Sequence, residues 1–105
     1  MDFNSLLQRA QRMQEDLEKS QNELKQKEYT NKTVSSIVKV TMDGDYQVKN
    51  VEFGEDFVNN FTNEDFEMLA DSIAVAVNEI TREITEDKEG AMADLAGSIK
   101  IPGLR

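Results

Sequence analysis

The sequence predicts an α+β fold in which one helix is followed by three antiparallel strands and a second helix. Three observations predict this order: helical periodicity over about residues 3–28, strand-like alternation around an Asp-Gly turn over about 28–53, and renewed helical periodicity from about residue 63. The chain has 105 residues and one candidate core. We therefore expect a single α-β-β-β-α domain over residues 1–105.

The first predicted helix covers about residues 3–28 and contains no Gly or Pro. Its apolar residues recur at steps of three and four and form a narrow stripe: Phe3, Leu6, Leu7, Ala10, Met13, Leu17 and Leu24. A helix of about 25 residues is roughly 37 Å long, whereas a strand of eight residues covers roughly 26 Å. The helix must therefore overhang any sheet on which it packs, and its uncovered stripe predicts assembly with a second copy or another partner.

Three strands are predicted over about residues 28–34, 37–42 and 46–53, and they should form an antiparallel meander. In the second strand, Val38, Val40 and Met42 share one face.

The segment Asp43-Gly44-Asp45 predicts a two-residue hairpin turn, because Asp-Gly supplies the positive φ that such a turn requires. The third strand changes parity, since Val48 faces one side while Val51 and Phe53 face the other. We expect either a bulge near Lys49-Asn50 or partial cover on both faces.

The second helix is predicted over about residues 63–89. Thr62 and Asp65 match a capping box, and Phe61 and Phe66 occupy the two positions of a hydrophobic staple. Its expected sheet-packing stripe is Phe66, Leu69, Ala70, Ile73, Ala74, Val77, Ile80 and Ile84. Gly90 weakens the helix, but the apolar residues beyond it allow an extension to about residue 96 past a kink. Residues 97–105 are expected to form an extended tail.

The net charge of −9 is unevenly distributed along the chain. Residues 1–28 carry five basic and six acidic residues, whereas residues 54–90 carry two basic and eleven acidic residues. This balance argues against a tight, nonspecific nucleic-acid binder. It leaves open DNA contact through the nearly neutral first helix.

The composition excludes most catalytic chemistry, because the chain has no Cys and no His. Thiol nucleophiles, His bases and most transition-metal sites are thereby removed, and no glycine-rich phosphate loop is present. We expect no enzymatic activity, cofactor, metal or small-molecule substrate. The sequence has no signal pattern and no apolar run of membrane-spanning length, so we expect a cytoplasmic protein without a membrane partner.

Five segments in the predicted order resemble the YbaB/EbfC family of bacterial nucleoid-associated proteins. They are Leu6–Glu15, around an AQxMQ core; Val38–Gly44, similar to VKVTxxG; Val48–Phe53, similar to VxxVxI; Glu67–Asp71 with Val77–Glu79, similar to EMLEDL and NDA; and Ile101–Leu104, similar to LPGL.

The resemblance implies a homodimer in which the first helices project like the arms of tweezers. It also implies DNA binding through those helices and through the end of the second helical region, and hence location in the nucleoid. The chain departs from the family at Val34-Ser35-Ser36-Ile37, where the family usually has glycines, and in the acidic character of its last helix. We therefore expect DNA contact on the first helix.

The candidate phosphate-binding residues lie on the first helix: Arg9, Arg12, Lys19, Lys25 and Lys27. The alternative is an ordinary solvated helix surface, and Lys25 and Lys27 could instead stabilise the helix end. Two further sets of residues are expected to be structural. A solvated acidic face is favoured over a cation site for Glu79, Glu83, Glu86 and Asp87. Strand packing is favoured over base stacking for Tyr29 and Tyr46.

Two functions from different classes follow from these observations. The first is a nucleoid-associated, DNA-binding homodimer with low sequence specificity and a gene-regulatory or nucleoid-organising role. The second is a protein-interaction module whose projecting helices grip another protein, such as a DNA-repair or recombination factor. The salt dependence of DNA binding distinguishes them, because phosphate contacts weaken as salt rises.

Overall fold

A computed structural model of the chain describes residues 2–98 and confirms the order of one helix, three strands and a long second helix. The elements are α1 (Phe3–Gln26), β1 (Glu28–Thr30), β2 (Val38–Asp43), β3 (Val48–Phe53), α2 (Glu55–Asn59) and α3 (Phe66–Ser98). A single 3₁₀ turn, Asn63–Asp65, leads into α3. The short helix α2 was not predicted, because five residues are too few to show a periodicity.

The three strands form an antiparallel sheet in the order β1-β2-β3, as predicted. Thr41 pairs with Asn50 and Met42 pairs with Val48, so Lys49 is the extra residue of a β-bulge. This confirms the bulge expected near Lys49-Asn50. Because of this extra residue, Val48, Val51 and Phe53 all face the same side of the sheet.

The core forms where α3 crosses β1 and β2. Val38, Val40 and Met42 of β2 are at most 3% exposed and pack in one cluster with α3 residues and a tyrosine of β1: Tyr29, Ala76, Ile80 and Ile84. The predicted α3 stripe was partly wrong, because Phe66, Ala70 and Ala74 are exposed while Ala76 is buried. Ala76, Ile80 and Ile84 are spaced four residues apart and form one buried line along α3, the helical seam. The predicted stripe was wider, because it also included the apolar residues beside this line.

The start of α3 follows the sequence prediction. The Thr62 backbone N–H donates to Asp65 Oδ2 at 2.8 Å, and the Asp65 N–H donates to the Thr62 carbonyl at 3.0 Å. The rings of Phe61 and Phe66 meet edge to face with their centroids 4.8 Å apart, which confirms the hydrophobic staple.

The turn between β2 and β3 is longer than the predicted two-residue hairpin. Asp43 donates its N–H to the Gln47 carbonyl at 3.0 Å, and Tyr46 donates its N–H to the Asp43 carbonyl at 3.2 Å. The loop is therefore three residues long. Tyr46, with a φ of 61°, takes the left-handed conformation that closes such a loop. The sequence pattern predicts this conformation for the Asp-Gly pair instead.

Gly44 is required for a different reason, which is the close approach of α1. Its N–H donates to the Lys25 carbonyl at 3.1 Å. A Cβ at Gly44 would lie 1.6 Å from the Leu24 carbonyl oxygen, so no side chain fits without moving the end of the helix. The glycine thus joins the hairpin to α1.

The connection between β1 and β2 is held by side chains, and this makes β1 shorter than the predicted 28–34. The buried Asn31 amide donates to the carbonyls of Thr33 and Val38 at 2.7 and 3.0 Å, and its Oδ1 accepts the Val40 N–H at 2.8 Å. These bonds replace ladder pairing beyond Thr30. Val34 has a φ of 50°, at the segment where the resemblance implies glycines.

Two helix boundaries also differ from the prediction. Helix α1 ends at Gln26 rather than residue 28, because Lys27 turns extended to lead into β1. Helix α3 continues through Gly90 to Ser98, beyond the expected end near residue 96. The remainder of the predicted tail, residues 99–105, lies outside the described residues.

Replacing Gly44 with alanine should destabilise the protein by at least about 2 kcal/mol, because the new methyl group would collide with the Leu24 carbonyl. Urea unfolding followed by circular dichroism, at a fixed protein concentration, measures the effect.

Gly90→Ala is the matched control, because a Cβ at that position meets nothing within 4 Å and the residue lies inside α3. This substitution should stabilise the protein by about 0.5–1 kcal/mol. Equal effects of the two substitutions would contradict the role given to Gly44.

Candidate nucleic-acid interface

Helix α1 lies outside the core along its whole length. None of its 24 residues is buried, and the described chain measures 72 × 26 × 15 Å. The helix begins at Asp2, whose carboxylate accepts the Ser5 N–H at 2.8 Å, and this hydrogen bond lowers the pKa of Asp2. An exposed helix of this kind offers its polar face to a ligand.

Three of the five candidate cations share one side of α1. At about 100° per residue, Arg12 and Lys19 point within roughly 20° of each other, and Arg9 lies roughly 60° to one side. Arg12 and Lys19 point roughly 150° or more away from the apolar stripe. All three side chains are exposed. We call Arg9, Arg12 and Lys19 the cationic face of α1. Asp16 and Glu23 lie on the same side, with Glu15 beside them, and these acidic residues offset its charge.

Lys25 and Lys27 stand apart from this face, at the base of α1. Lys25 lies on the opposite flank of the apolar stripe. Within residues 2–98, neither Lys25 nor any residue of the cationic face forms an ion pair, whereas Lys27 does.

The base of α1 is anchored to α3 by a three-residue network. Lys27 Nζ lies 2.7 Å from Asp87 Oδ2 and 4.9 Å from the centroid of the Tyr29 ring. The Tyr29 hydroxyl donates to the same Asp87 oxygen at 2.6 Å. Hydrogen bonds from Lys27 and Tyr29 lower the pKa of Asp87. Burial, and then the bond to Asp87, raise the pKa of Tyr29. Lys27 thus ties the end of α1 to α3, a contact that the predicted alternative, stabilisation of the helix end, does not include.

Three of the four acidic residues of α3 that form the predicted solvated face, Glu79, Glu83 and Asp87, contact other protein groups, whereas Glu86 is exposed. Glu79 accepts hydrogen bonds from the backbone N–H groups of Lys32 and Thr33 and from the Thr33 hydroxyl. These bonds, led by the Thr33 hydroxyl, lower the pKa of Glu79. Glu83 lies 3.6 Å from Lys32 Nζ. These carboxylates hold the β1–β2 loop against α3, a role that the sequence pattern does not reveal.

The two tyrosines have different environments. Tyr29 is 3% exposed and belongs to the core, which confirms the predicted strand packing and excludes base stacking for this residue. Tyr46 lies in a turn rather than in the predicted strand. Its hydroxyl is 2.6 Å from Thr85 Oγ1, and its ring lies under Lys88 at 4.4 Å. Both tyrosines therefore tie the sheet to α3.

The apolar side chains of β3 form an exposed surface. Val38, Val40 and Met42 face Phe53, Val51 and Val48 across the sheet, so the bulge puts all three β3 residues on the core side. They nevertheless remain 44–53% exposed, because α3 packs on β1 and β2. We call Val48, Val51 and Phe53 the β3 face. Parity alone could not identify this face before the bulge was located.

The helices of the described chain are too polar to cross a membrane, since none has a sufficiently long apolar stretch.

The chain is similar to a known protein family and to solved structures. The model of the YbaB/EbfC DNA-binding family matches residues 1–99. The crystal structure of the uncharacterized protein HP0035 from Helicobacter pylori is similar to this fold, with a TM-score of 0.69 and 18% sequence identity. The match covers 91% of this chain and 98% of the Helicobacter chain. At this identity, the structural match supports the fold alone.

The anchor of α1 predicts a defined dependence of stability on pH. Because the folded pKa of Asp87 is lowered, its contribution is present above the unfolded pKa of about 3.9 and is lost as the pH falls through the folded value. Because the folded pKa of Tyr29 is raised, its contribution is present below about pH 10 and is lost at higher pH. Asp87→Asn should flatten the acid limb of the stability curve, and Tyr29→Phe the alkaline limb. Tyr29→Phe should also cost about 1–2 kcal/mol at neutral pH.

Urea unfolding at a series of pH values measures both limbs. Glu86→Gln is the control, because Glu86 is exposed and has no ion-pair partner within residues 2–98. An acid limb that is equally steep in Asp87→Asn and in the unmodified protein would contradict the anchoring role.

Proposed function

The chain belongs to the YbaB/EbfC DNA-binding family, whose members are nucleoid-associated proteins, and on that basis we propose that it binds DNA as a homodimer. The family match over residues 1–99 is the observation that carries this proposal. Binding has low sequence specificity, and its role is to organise the nucleoid or to regulate genes there. The corresponding location is the nucleoid within the cytoplasm.

The proposed DNA contact is the cationic face of α1 together with Lys25. These side chains are exposed, and none forms an ion pair within residues 2–98. Arg9 and Arg12 lie three residues apart, and each guanidinium can donate two parallel hydrogen bonds to a phosphate. Lys27 remains the weakest member of the set, because phosphate would have to compete with Asp87 for its ammonium group.

The charge distribution sets the expected strength of binding. A dimer carries twice the protomer charge of −9, and the exposed acids of α3 repel phosphates. DNA must therefore approach the projecting part of α1, which extends away from the acidic second half of the chain. Phosphate contacts of this kind are made without reading bases, and they weaken steeply with salt. The expected binding is modest in affinity and strongly salt-sensitive.

The proposed dimer interface is the β3 face. β3 is an edge strand with unpaired backbone groups on its outer side, and such edges are normally covered or blocked. The three apolar side chains of the β3 face continue the core beyond the reach of α3. A second copy that packs there would bury this face and give the tweezer-like arrangement of two projecting α1 helices.

A protein-interaction function is the second candidate, and one observation favours it. A shallow groove on α3 is lined by apolar side chains and by acidic side chains from the first turns of the helical region: Val34, Met68 and Val75, with Glu64, Glu67 and Asp71. An apolar segment with basic flanks would complement this groove. If the protein forms no complex with DNA at any salt concentration, this second function is favoured.

Removing the two arginines of α1 should weaken DNA binding. Arg9→Ala with Arg12→Ala should lower affinity about tenfold and reduce the slope of log K against log salt by about 1–2, because each lost phosphate contact removes about 0.9 from the slope. Mobility-shift titrations at several salt concentrations measure both quantities.

Arg82→Ala with Lys39→Ala is the charge-matched control, because both residues are exposed and lie on α3 and β2. Light scattering must first show that both variants have the assembly state of the unmodified protein. If the control pair abolishes binding and the α1 pair leaves it intact, the proposed contact is at the wrong end of the molecule.

Val51→Asp should convert the dimer into a monomer, because the substitution places a charge at the centre of the proposed interface. Val51 is 44% exposed within one protomer, so the isolated fold should tolerate the change. Light scattering at micromolar concentration measures the assembly state. Glu52→Ala, on the opposite side of the same strand, is the control and should remain dimeric. A folded monomer of the unmodified protein at this concentration would contradict the homodimer.

A further inference from the structure

Two exposed surfaces lie on distant parts of the two long helices. The first is Leu6–Met13 of α1, here called the α1 segment, whose three large apolar side chains are 45–52% exposed. The second is the groove on α3 described above, here called the α3 groove, where Met68 is 51% and Val75 is 47% exposed. Exposed apolar side chains that are grouped in this way mark interaction sites.

The two surfaces carry opposite charges. Three exposed carboxylates line the α3 groove, and none of them forms an ion pair within residues 2–98. Residues 50–81 contain no Lys or Arg, so no basic residue nearby in the sequence offsets these carboxylates. The α1 segment contains Arg9 and Arg12 and no acidic residue, and Asp16 lies just beyond it. The segment and the groove are therefore electrostatically complementary.

The α1 segment and the α3 groove also have similar lengths. The part of the groove that lies on α3 extends from Glu67 to Val75, roughly 12 Å along the helix axis. The α1 segment extends roughly 10 Å from Leu6 to Met13. About two turns of α1 therefore fit the groove, and they exclude the acidic residues on either side of the segment.

On both helices the charged side chains lie beside the apolar ones. At about 100° per residue, the two α3 carboxylates of the groove project roughly 70° around the axis from Met68 and Val75. Arg9 projects roughly 50° from the nearest large apolar side chains of the α1 segment, and Arg12 lies further round. Apolar side chains can thus meet apolar ones while the Arg9 guanidinium lies next to a carboxylate.

The α1 segment cannot reach the α3 groove of its own chain. From the contact between Lys27 and Asp87, α1 runs beside the part of α3 that has higher residue numbers, where the two helices line a common cleft. The groove lies in the opposite direction, and Val75 is roughly 18 Å from Asp87 along α3. Met13 is roughly 21 Å from Lys27 along α1. About 39 Å therefore separate the two surfaces, so the segment must come from another chain.

We propose that the α1 segment of one copy docks in the α3 groove of a second copy. Leu6 and Met13 then pack against the apolar side chains of the groove, and Arg9 pairs with a carboxylate beside them. The contact joins two different surfaces, so each added copy brings a free segment and a free groove, and assembly continues beyond two copies. The proposal rests on the interaction groove proposed above, but it requires neither DNA binding nor the β3 face.

Sedimentation equilibrium of the full chain, freed of nucleic acid, tests the proposal at low salt and over micromolar to millimolar concentrations. Two turns of helix make a small interface, so we expect a weak, transient contact. The average mass should rise with concentration beyond the state present at micromolar concentration. Added salt should reduce this rise, because exposed charge pairs are screened. In Val51→Asp the rise should persist from a lower starting mass, which separates this contact from the β3 face.

Charge reversal on either surface should weaken the association at least about tenfold, because like charges then face each other. Arg9→Glu with Arg12→Glu reverses the α1 segment, and Glu67→Arg with Asp71→Arg reverses the α3 groove. Neither variant should associate alone. A mixture of the two should associate, because each reversed surface then meets an oppositely charged partner.

Glu86→Arg with Glu89→Arg is the matched control, because both residues are exposed on α3 outside the groove and form no ion pair within residues 2–98. It changes the net charge as much as the groove variant does and should leave the association intact. Circular dichroism must show that all variants are folded. A mixture that associates no more than the separate variants would overturn the proposal, as would an equal loss of association in the control.

Discussion

The packing of α3 across β2 is the contact on which the rest of this structure depends. Val38, Val40 and Met42 on the strand meet a helical seam that includes Ile80 and Ile84, and all five residues are nearly inaccessible to solvent. This core is small, and such a domain gains stability from any further burial of apolar surface. The position of α3 also determines which surfaces remain open. Because the helix covers β1 and β2, it leaves the β3 face exposed.

Helix α1 is connected to this core only near its base, and that arrangement produces a projecting arm. The bond from Gly44 to the Lys25 carbonyl and the network of Lys27, Tyr29 and Asp87 fix the end of the helix. No residue of the helix is buried, even at this base. Because α1 does not cover the core, it can present a long polar surface to a ligand while the core stays buried.

The arrangement also separates the charges of the protein. Several acidic residues of α3 hold neighbouring segments in place, as Glu79 does for the β1–β2 loop and Asp87 does for the base of α1. The three basic residues of the cationic face are exposed and form no ion pair within residues 2–98. A chain with a net charge of −9 can therefore still offer individual basic side chains to a polyanion. The same separation confines the proposed contact to one helix, α1.

The sequence by itself determined the order of elements and the cap and staple at the start of α3, and it offered a bulge near Lys49-Asn50 as one of two alternatives. Each of these rests on local geometry or on a periodicity within one segment, so a few neighbouring residues suffice to specify it. The candidate cations of α1 were also evident as residues, although the sequence did not show that Lys27 would be bound to a carboxylate sixty positions away.

The tertiary structure decided what depends on segments that are distant in sequence. Ala76 rather than Ala74 enters the core, because the seam follows the angle at which α3 crosses the sheet and not the average hydrophobicity of the helix. Gly44 is required by the approach of α1, and Tyr46 takes the positive φ instead. The exposure of the β3 face likewise follows from where α3 lies. Pattern analysis identifies which residues are apolar or charged, but only the packed chain determines which of them meet.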